Sequence, residues 1–268
     1  MSNLIHCITN PISMMMCANA SLSLGARPIM AEHPLEVKEI TETADALLIN
    51  LGNISDTRME AMKISFAKAL EKEIPIVIDA VGVACSELRR SFVLNLINSS
   101  SRSNKQIFLI KGNYSEITAL LKPDYRGNGV DAGAEITTDM AIDHASRLAR
   151  ELDAIILASG AADIITDGEK TCLVRNGNSL LGKITGTGCM LGAICATFLA
   201  GAADTAGAME GAVRACVHLG IAGELAYEKE CAANSGKVGS GSFYTALLDE
   251  ISLLDDKTIS ERRKVEEF

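Results

Sequence analysis

From about residue 45 onward, short apolar runs alternate with longer stretches in which apolar residues recur every three or four positions. Residues 46–51 are almost continuously apolar, and 56–71 follow with Met59, Met62, Ile64, Phe66, Ala67 and Leu70 at roughly helical spacing. The pair predicts a β–α unit. Runs at 74–79, 106–111 and 153–159 repeat the theme and end on Asp79, Lys111 and Ser159, as the first run carries Asn50 near its end. Strands that are apolar on both faces suit a parallel sheet between two helical layers, so the expected class is α/β.

Past Ser159 the pattern changes. Residues 164–166 and 171–174 flank Asp167 and Gly168, which predicts an antiparallel hairpin extending one edge of the sheet. Stretches 189–203, 206–230 and 243–254 have helical patterning and are rich in Ala and Gly, and the charged residues 255–268 are expected to fray. No repeat, low-complexity tract or linker interrupts the chain, so residues 1–268 are expected to form a single domain.

Composition narrows the chemistry. The 268 residues are 48% hydrophobic but only 4% aromatic, with no Trp, so the core must be aliphatic, and stacking platforms for single-stranded nucleic acid are not expected. A net charge of −9 with scattered basic residues argues against nucleic acid and anionic lipid as partners. A small molecule is the better expectation. None of the eight cysteines has zinc-ligand spacing, so seven are expected to be buried hydrophobes in a reducing, cytoplasmic setting, with Cys189 the exception. Residues 1–26 carry no charge but lack a basic leader and are broken by Asn3, Asn10, Pro11 and Asn19, which does not fit a signal peptide. Residues 184–203 are also uncharged, but only about 15 are helix-like against the roughly 20 needed to span a bilayer, so a buried helix over the sheet is expected.

In open α/β sheets the ligand lies beyond the carboxyl ends of the strands, which marks Asn50, Asp79, Lys111 and Ser159. The strongest local signal is Thr185-Gly186-Thr187-Gly188-Cys189 at a helix start, where glycines and unsatisfied amides make an anion hole. Cys189 falls in the first turn, where the helix dipole is expected to lower a thiol pKa. An acyl-transfer reading would need His6, His33, His144 or His218 to activate that thiol, and no motif ties any of them to it. A P-loop reading of Gly177–Lys183 fails, because Ile184 stands where Ser or Thr would bind magnesium. Asp79 and Glu116 are hard oxygen ligands for Mg²⁺, Lys111 is a cation for polyphosphate, and Asn113 or Ser115 would cap the helix carrying Glu116. Together these features indicate phosphoryl transfer.

The blocks His6-Cys-Ile-Thr-Asn10, Gly25-Ala-Arg-Pro-Ile-Met-Ala31, Asp79-Ala-Val-Gly-Val83, Lys111-Gly-Asn-Tyr-Ser-Glu-Ile117, Gly129-Val-Asp131, Ile165-Thr-Asp-Gly168, Thr185-Gly-Thr-Gly-Cys189 and Gly239-Ser-Gly-Ser-Phe243 resemble, in order, those of the hydroxyethylthiazole kinase family. The resemblance implies a ribokinase-like three-layer sandwich with a mostly parallel central sheet. It implies ATP- and Mg²⁺-dependent phosphorylation of the primary alcohol of 4-methyl-5-(2-hydroxyethyl)thiazole, in thiamine biosynthesis or salvage. Carried over by residue, Asn10, Met30 and Gly186 would bind the thiazole, and Lys111, Ser159 and Asn113 would contact ATP. Asp79 and Glu116 would serve the metal, and Cys189, Gly186 and Gly188 would form the catalytic loop, with Cys189 where related sugar kinases carry an aspartate base. The resemblance further implies a homotrimer in which Asn10 and Met30 of one chain meet the Gly186 loop of its neighbour. The chain departs from the pattern at Met15, Ala80 and Ser240, where Asn, Pro and Pro are usual, and more mildly at Lys111 and Ser159. Competing readings are a ribokinase-like kinase for a hydroxymethylpyrimidine or a sugar, and a silent thiazole-binding trimer.

Overall fold

The computed structural model describes residues 2–98, 106–127 and 136–268, so the Gly129–Asp131 block lies outside the described residues. Its strands are β1 (Leu4–Ile8), β2 (Arg27–Ile29), β3 (Ala46–Asn50), β4 (Ile76–Asp79), β5 (Phe108–Asn113), β6 (Ile155–Ser159), β7 (Asp163–Thr166), β8 (Thr171–Val174) and β9 (Val265–Glu267). They form one sheet in the order β2-β1-β3-β4-β5-β6-β7-β8-β9. Pairing is parallel from β2 to β6 and antiparallel from β6 to β9.

Alternation along each central strand explains why the sequence runs are apolar throughout. Cys7, Leu48, Val77, Leu109 and Leu157 point to one face, under α1 (Met14–Ser23), α7 (Thr187–Leu199), α8 (Thr205–Ala233) and α9 (Ser240–Leu253). Ile8, Leu47, Ile49, Ile78 and Ile110 point to the other, under α2 (Val37–Thr43), α3 (Asp56–Glu71), α4 (Glu87–Asn98), α5 (Tyr114–Leu121) and α6 (Thr138–Leu152). Both faces are dry, as a parallel sheet requires. Helix α7 comes down onto β3 and β4 because Gly192 has no side chain: a Cβ there would lie 3.3 Å from Leu48 Cδ1 and 3.6 Å from Asp79 Oδ2.

The α/β class and the β7–β8 hairpin match expectation, with Gly168 at φ +93° in the turn. The helix expected over 189–203 is α7, which opens two residues earlier and is buried along most of its length. It closes at Leu199 because Gly201 turns left-handed and the Asp204 side chain caps α8 by accepting from Gly207 N. No helix among the described residues is long and apolar enough to cross a membrane.

Two expectations are corrected. The charged residues 255–268 do not fray: Asp255 caps α10 (Asp256–Arg262), and β9 pairs with β8. Several of their charges are paired at the surface, with Arg262 on Glu228 at 2.7 and 2.9 Å and Lys264 on Glu224 at 2.9 Å. Nor are seven cysteines core residues. Cys7, Cys17, Cys195 and Cys216 are buried, Cys172 and Cys231 are half-buried, and Cys85 is exposed on the turn after β4. All eight are free thiols.

Candidate functional site

The carboxyl ends of the parallel strands and the start of α7 enclose a cavity of about 850 Å³, at the upper end of the usual range for small-molecule sites. Its wall includes Asn10, Asp79, Lys111, Asn113, Glu116, Ser159, Gly186, Gly188 and Cys189. Of the residues singled out in the sequence, Asn50 lies buried behind the wall on Asp79, and Met30 is not brought to the cavity. It follows the edge strand β2 and packs half-buried on the core under α1 and α7.

Strand register assembles one side. Asn50, Asp79 and Lys111 lie opposite one another on β3, β4 and β5, and Asn113 opposes Ser159 on β6. Lys111 Nζ donates to Asp79 Oδ1 at 3.2 Å, and Asn50 Nδ2 donates to Asp79 Oδ2 at 2.9 Å. Burial pushes the Asp79 carboxyl up, while Lys111, the Val81 N–H and the Asn50 amide pull it back. Burial likewise works against the charge of Lys111, but Asp79, Cys189 and Glu116 outweigh it and hold its pKa above the usual lysine range.

Glu116 belongs to a capping box. Asn113 Oδ1 accepts from Glu116 N at 2.8 Å, and Glu116 Oε2 accepts from Asn113 N at 2.7 Å. Its other oxygen accepts from Gly82 N at 2.7 Å. Burial raises its pKa to about 7 against the pull of Lys111. The helix-cap role therefore coexists with a place on the cavity wall.

The opposite side is the start of α7. Gly186 is its N-cap at φ +95°, a conformation only glycine adopts without strain, and a Cβ there would lie 2.8 Å from Met16 Sδ. Cys189 follows in the first turn. Asn10 Nδ2 reaches Cys189 Sγ at 3.5 Å and Asn50 Oδ1 at 3.0 Å, while Asn10 Oδ1 accepts from Ile12 N and Ser13 N, both at 3.1 Å. Two corrections follow. Asn10 serves the loop of its own chain rather than a neighbour's. The Cys189 thiol is raised rather than lowered, because burial and then the Asp79 charge outweigh Lys111, Ser13 and Asn50.

The four histidines have structural partners. His6 pairs with Thr41 and the Ala31 carbonyl, His33 accepts from Leu35 N, His144 lies between Thr118 and Lys122, and His218 donates to the Ile251 carbonyl. None reaches Cys189. Among the described residues no group of three or more His, Cys, Asp or Glu could hold a metal ion by itself. Asp79 and Glu116 each have both oxygens engaged, so they suit a hydrated Mg²⁺ carried in by phosphate oxygens and held largely through water.

Two cavity residues and one buried behind the wall were hidden or only partly legible in the sequence. Asn50 was visible as a strand end, but not as the bridge between Asn10 and Asp79. Arg89 follows Glu87 and Leu88 and precedes a second arginine, with no pattern to separate the two. Asp163 opens β7, where burial pushes its carboxyl up to about 6 against its bonds from Gly160 N and Cys216.

A model of the family described as "Hydroxyethylthiazole kinase family" matches residues 1–257. A Clostridium botulinum protein named hydroxyethylthiazole kinase 2 is 41% identical over 270 residues, covering 99% of this chain and 96% of its own. The solved structure of a hydroxyethylthiazole kinase protein from Pyrococcus horikoshii is similar with a TM-score of 0.84 and 33% identity, covering 99% of this chain and 94% of that one. A ribokinase-like superfamily protein from Enterococcus faecalis shares the fold at TM-score 0.63 and 17% identity, covering 93% and 86%.

Proposed function

The chain belongs to the hydroxyethylthiazole kinase family, and from that premise we propose that it transfers the γ-phosphoryl group of ATP to the primary alcohol of 4-methyl-5-(2-hydroxyethyl)thiazole, within thiamine biosynthesis or salvage. The observation that carries the reading is one cavity in which a glycine-opened helix start and a first-turn thiol face a buried Asp–Lys pair. The alcohol oxygen forms the new bond to phosphorus, the bond to the β-phosphate oxygen breaks, and ADP leaves.

Each wall has its task. Gly186 and Gly188 let backbone amides approach the hydroxyl and the transferred phosphoryl, where the helix start favours negative charge. Lys111 Nζ lies 3.6 Å from where a Gly188 Cβ would be, so its charge stands beside that loop. Ser159 and Asn113 line the ATP side and Asn10 the alcohol side. Asp79 and Glu116 are the residues that would hold magnesium, which would supply positive charge against that developing on the phosphate oxygens. Cys189, held largely as the neutral thiol, positions the hydroxyl, whose proton passes late to an oxygen of the transferred phosphoryl group. With its pKa raised, little thiolate is available beforehand, and phosphoryl transfer depends more on alignment and charge than on early deprotonation. Met30 lies outside the cavity, just after the edge strand β2. Beside it α1 exposes Met15, 68% accessible, and Leu22, 56% accessible. These features support a homotrimer in which a neighbour's Met30 completes the thiazole pocket. Free thiols throughout support a cytoplasmic setting, and continuous packing supports action as one domain over 1–268.

The test is ADP release measured by coupled assay with hydroxyethylthiazole and Mg-ATP, beside a hydroxymethylpyrimidine and small sugars. Turnover preferring the thiazole is expected. A preference for the pyrimidine or a sugar would replace the substrate, and thiazole binding by calorimetry without ADP release would leave only a binding protein.

A further inference from the structure

Polyphosphate is strongly anionic, yet the most buried cation of the cavity is already matched. Lys111 stands in an ion pair with Asp79, and Glu116 adds further acidity beside them. Two other cations line the wall, Lys183 and Arg89. Lys183 is exposed on the 3₁₀ turn ahead of the glycine loop. Arg89 is half-buried at the start of α4, and among the described residues no carboxylate pairs with it.

Its setting is built rather than accidental. Three consecutive backbone groups after Asp79 hold the three charged side chains together. The Val81 N–H faces Asp79, the Val81 carbonyl accepts from Arg89 Nη1 at 3.2 Å, and Gly82 N donates to Glu116 Oε1 at 2.7 Å. The guanidinium rests directly on the Gly82 backbone, because a Cβ there would fall 2.0 Å from Nη1, and Gly82 sits at φ +83°. The neighbouring Arg90 has the opposite fate. It is buried and donates to the Val83, Pro123 and Tyr125 carbonyls, which makes it a structural tie. One step of about 100° around the helix thus separates an arginine consumed by carbonyls from one left facing the cavity.

We propose that Arg89 is a polyphosphate-binding residue of the cavity, its guanidinium fork taking non-bridging phosphate oxygens beside Asp79 and Glu116. The inference deepens the kinase reading and rests on it for the identity of the anion. A planar fork with one bond fixed to Val81 is already oriented, so it loses little freedom on meeting an oxyanion.

Calorimetric titration without metal, using ATP, inorganic pyrophosphate and adenosine, tests it on the parent, R89M and R89K. R89M should weaken ATP and pyrophosphate by about tenfold or more and leave adenosine unchanged, and R89K should fall between. If R89M bound pyrophosphate like the parent, or weakened adenosine equally, Arg89 would be merely structural. Should R89M fail to fold, R89K decides: it keeps the charge without the fork, and parental affinity overturns the proposal. A parent that phosphorylates the thiazole while R89M keeps its pyrophosphate affinity rejects only this inference. A parent that binds neither ATP nor pyrophosphate rejects the kinase reading as well.

Discussion

At the Cys189 end of the cavity the groups are neutral and the shape comes from backbone: a left-handed glycine, a helix start, and two asparagine amides oriented by main-chain N–H groups. At the Asp79 end the groups are charged and fixed by side-chain pairs and a capping box. A neutral, shape-defined end can align an alcohol without paying the desolvation of a permanent charge, whereas a charged end is needed only where charge moves during transfer. The difference predicts that substitutions at the charged end act on turnover, and those at the neutral end on positioning and stability.

The sharpest break would come from Asp79→Asn, which leaves Lys111 buried without its counter-charge. Turnover in the coupled assay should fall on the order of a thousandfold. Glu116→Gln keeps one acceptor of the capping box and loses the carboxylate, so a drop of about 10–100-fold is expected, with more Mg²⁺ needed for half-maximal rate. Equal Mg²⁺ requirements in variant and parent would return Glu116 to a pure helix cap. Gly186→Ala probes the neutral end, where positive φ and the clash with Met16 should cost about 1–3 kcal/mol in denaturant titration and weaken thiazole binding. For Cys189→Ala, alignment-first transfer predicts only a roughly tenfold slower rate. A loss as complete as that of Asp79→Asn would erase the contrast between the two ends.

The smallest effect concerns Asp163. Its folded pKa of about 6 lies above the unfolded carboxylate value, so the native state holds the proton more tightly. The resulting stability is fully present below about pH 4 and is lost as pH rises through about 6. Asp163→Asn, which keeps an acceptor for Gly160 N, should therefore raise the unfolding free energy at pH 8 by about 1–2 kcal/mol and give no gain at pH 4. A gain at both pH values would point to packing instead of the buried charge.

Where sequence period and burial agree, the elements were legible: α3 coincides with the helical spacing at 56–71, and the hairpin around Gly168 with its turn residues. The amino-terminal unit was not, because β1 carries His6 and leads into Thr9 and Asn10, polar residues that are buried by partners distant in sequence. Strand β9 was hidden by its glutamates, whose partner Arg175 lies 91 residues away from Glu266. Strand ends and the glycine loop marked the cavity. Pairing within it could not be read off, since Asn50, Asp79 and Lys111 meet only through strand register. The elevated Cys189 thiol likewise depends on burial and on an Asp79 charge that local helix position does not reveal.

Helix α7 roofs the core and supplies the floor of the cavity at once, with Met190–Ala196 buried and Gly192 seated on the sheet. Many phosphate-binding loops are hinged on segments that open locally. Here the main-chain hydrogens just behind the loop should exchange with solvent only when the whole molecule unfolds. Such a loop gains no closing step from ligand, and its geometry persists for as long as the protein stays folded.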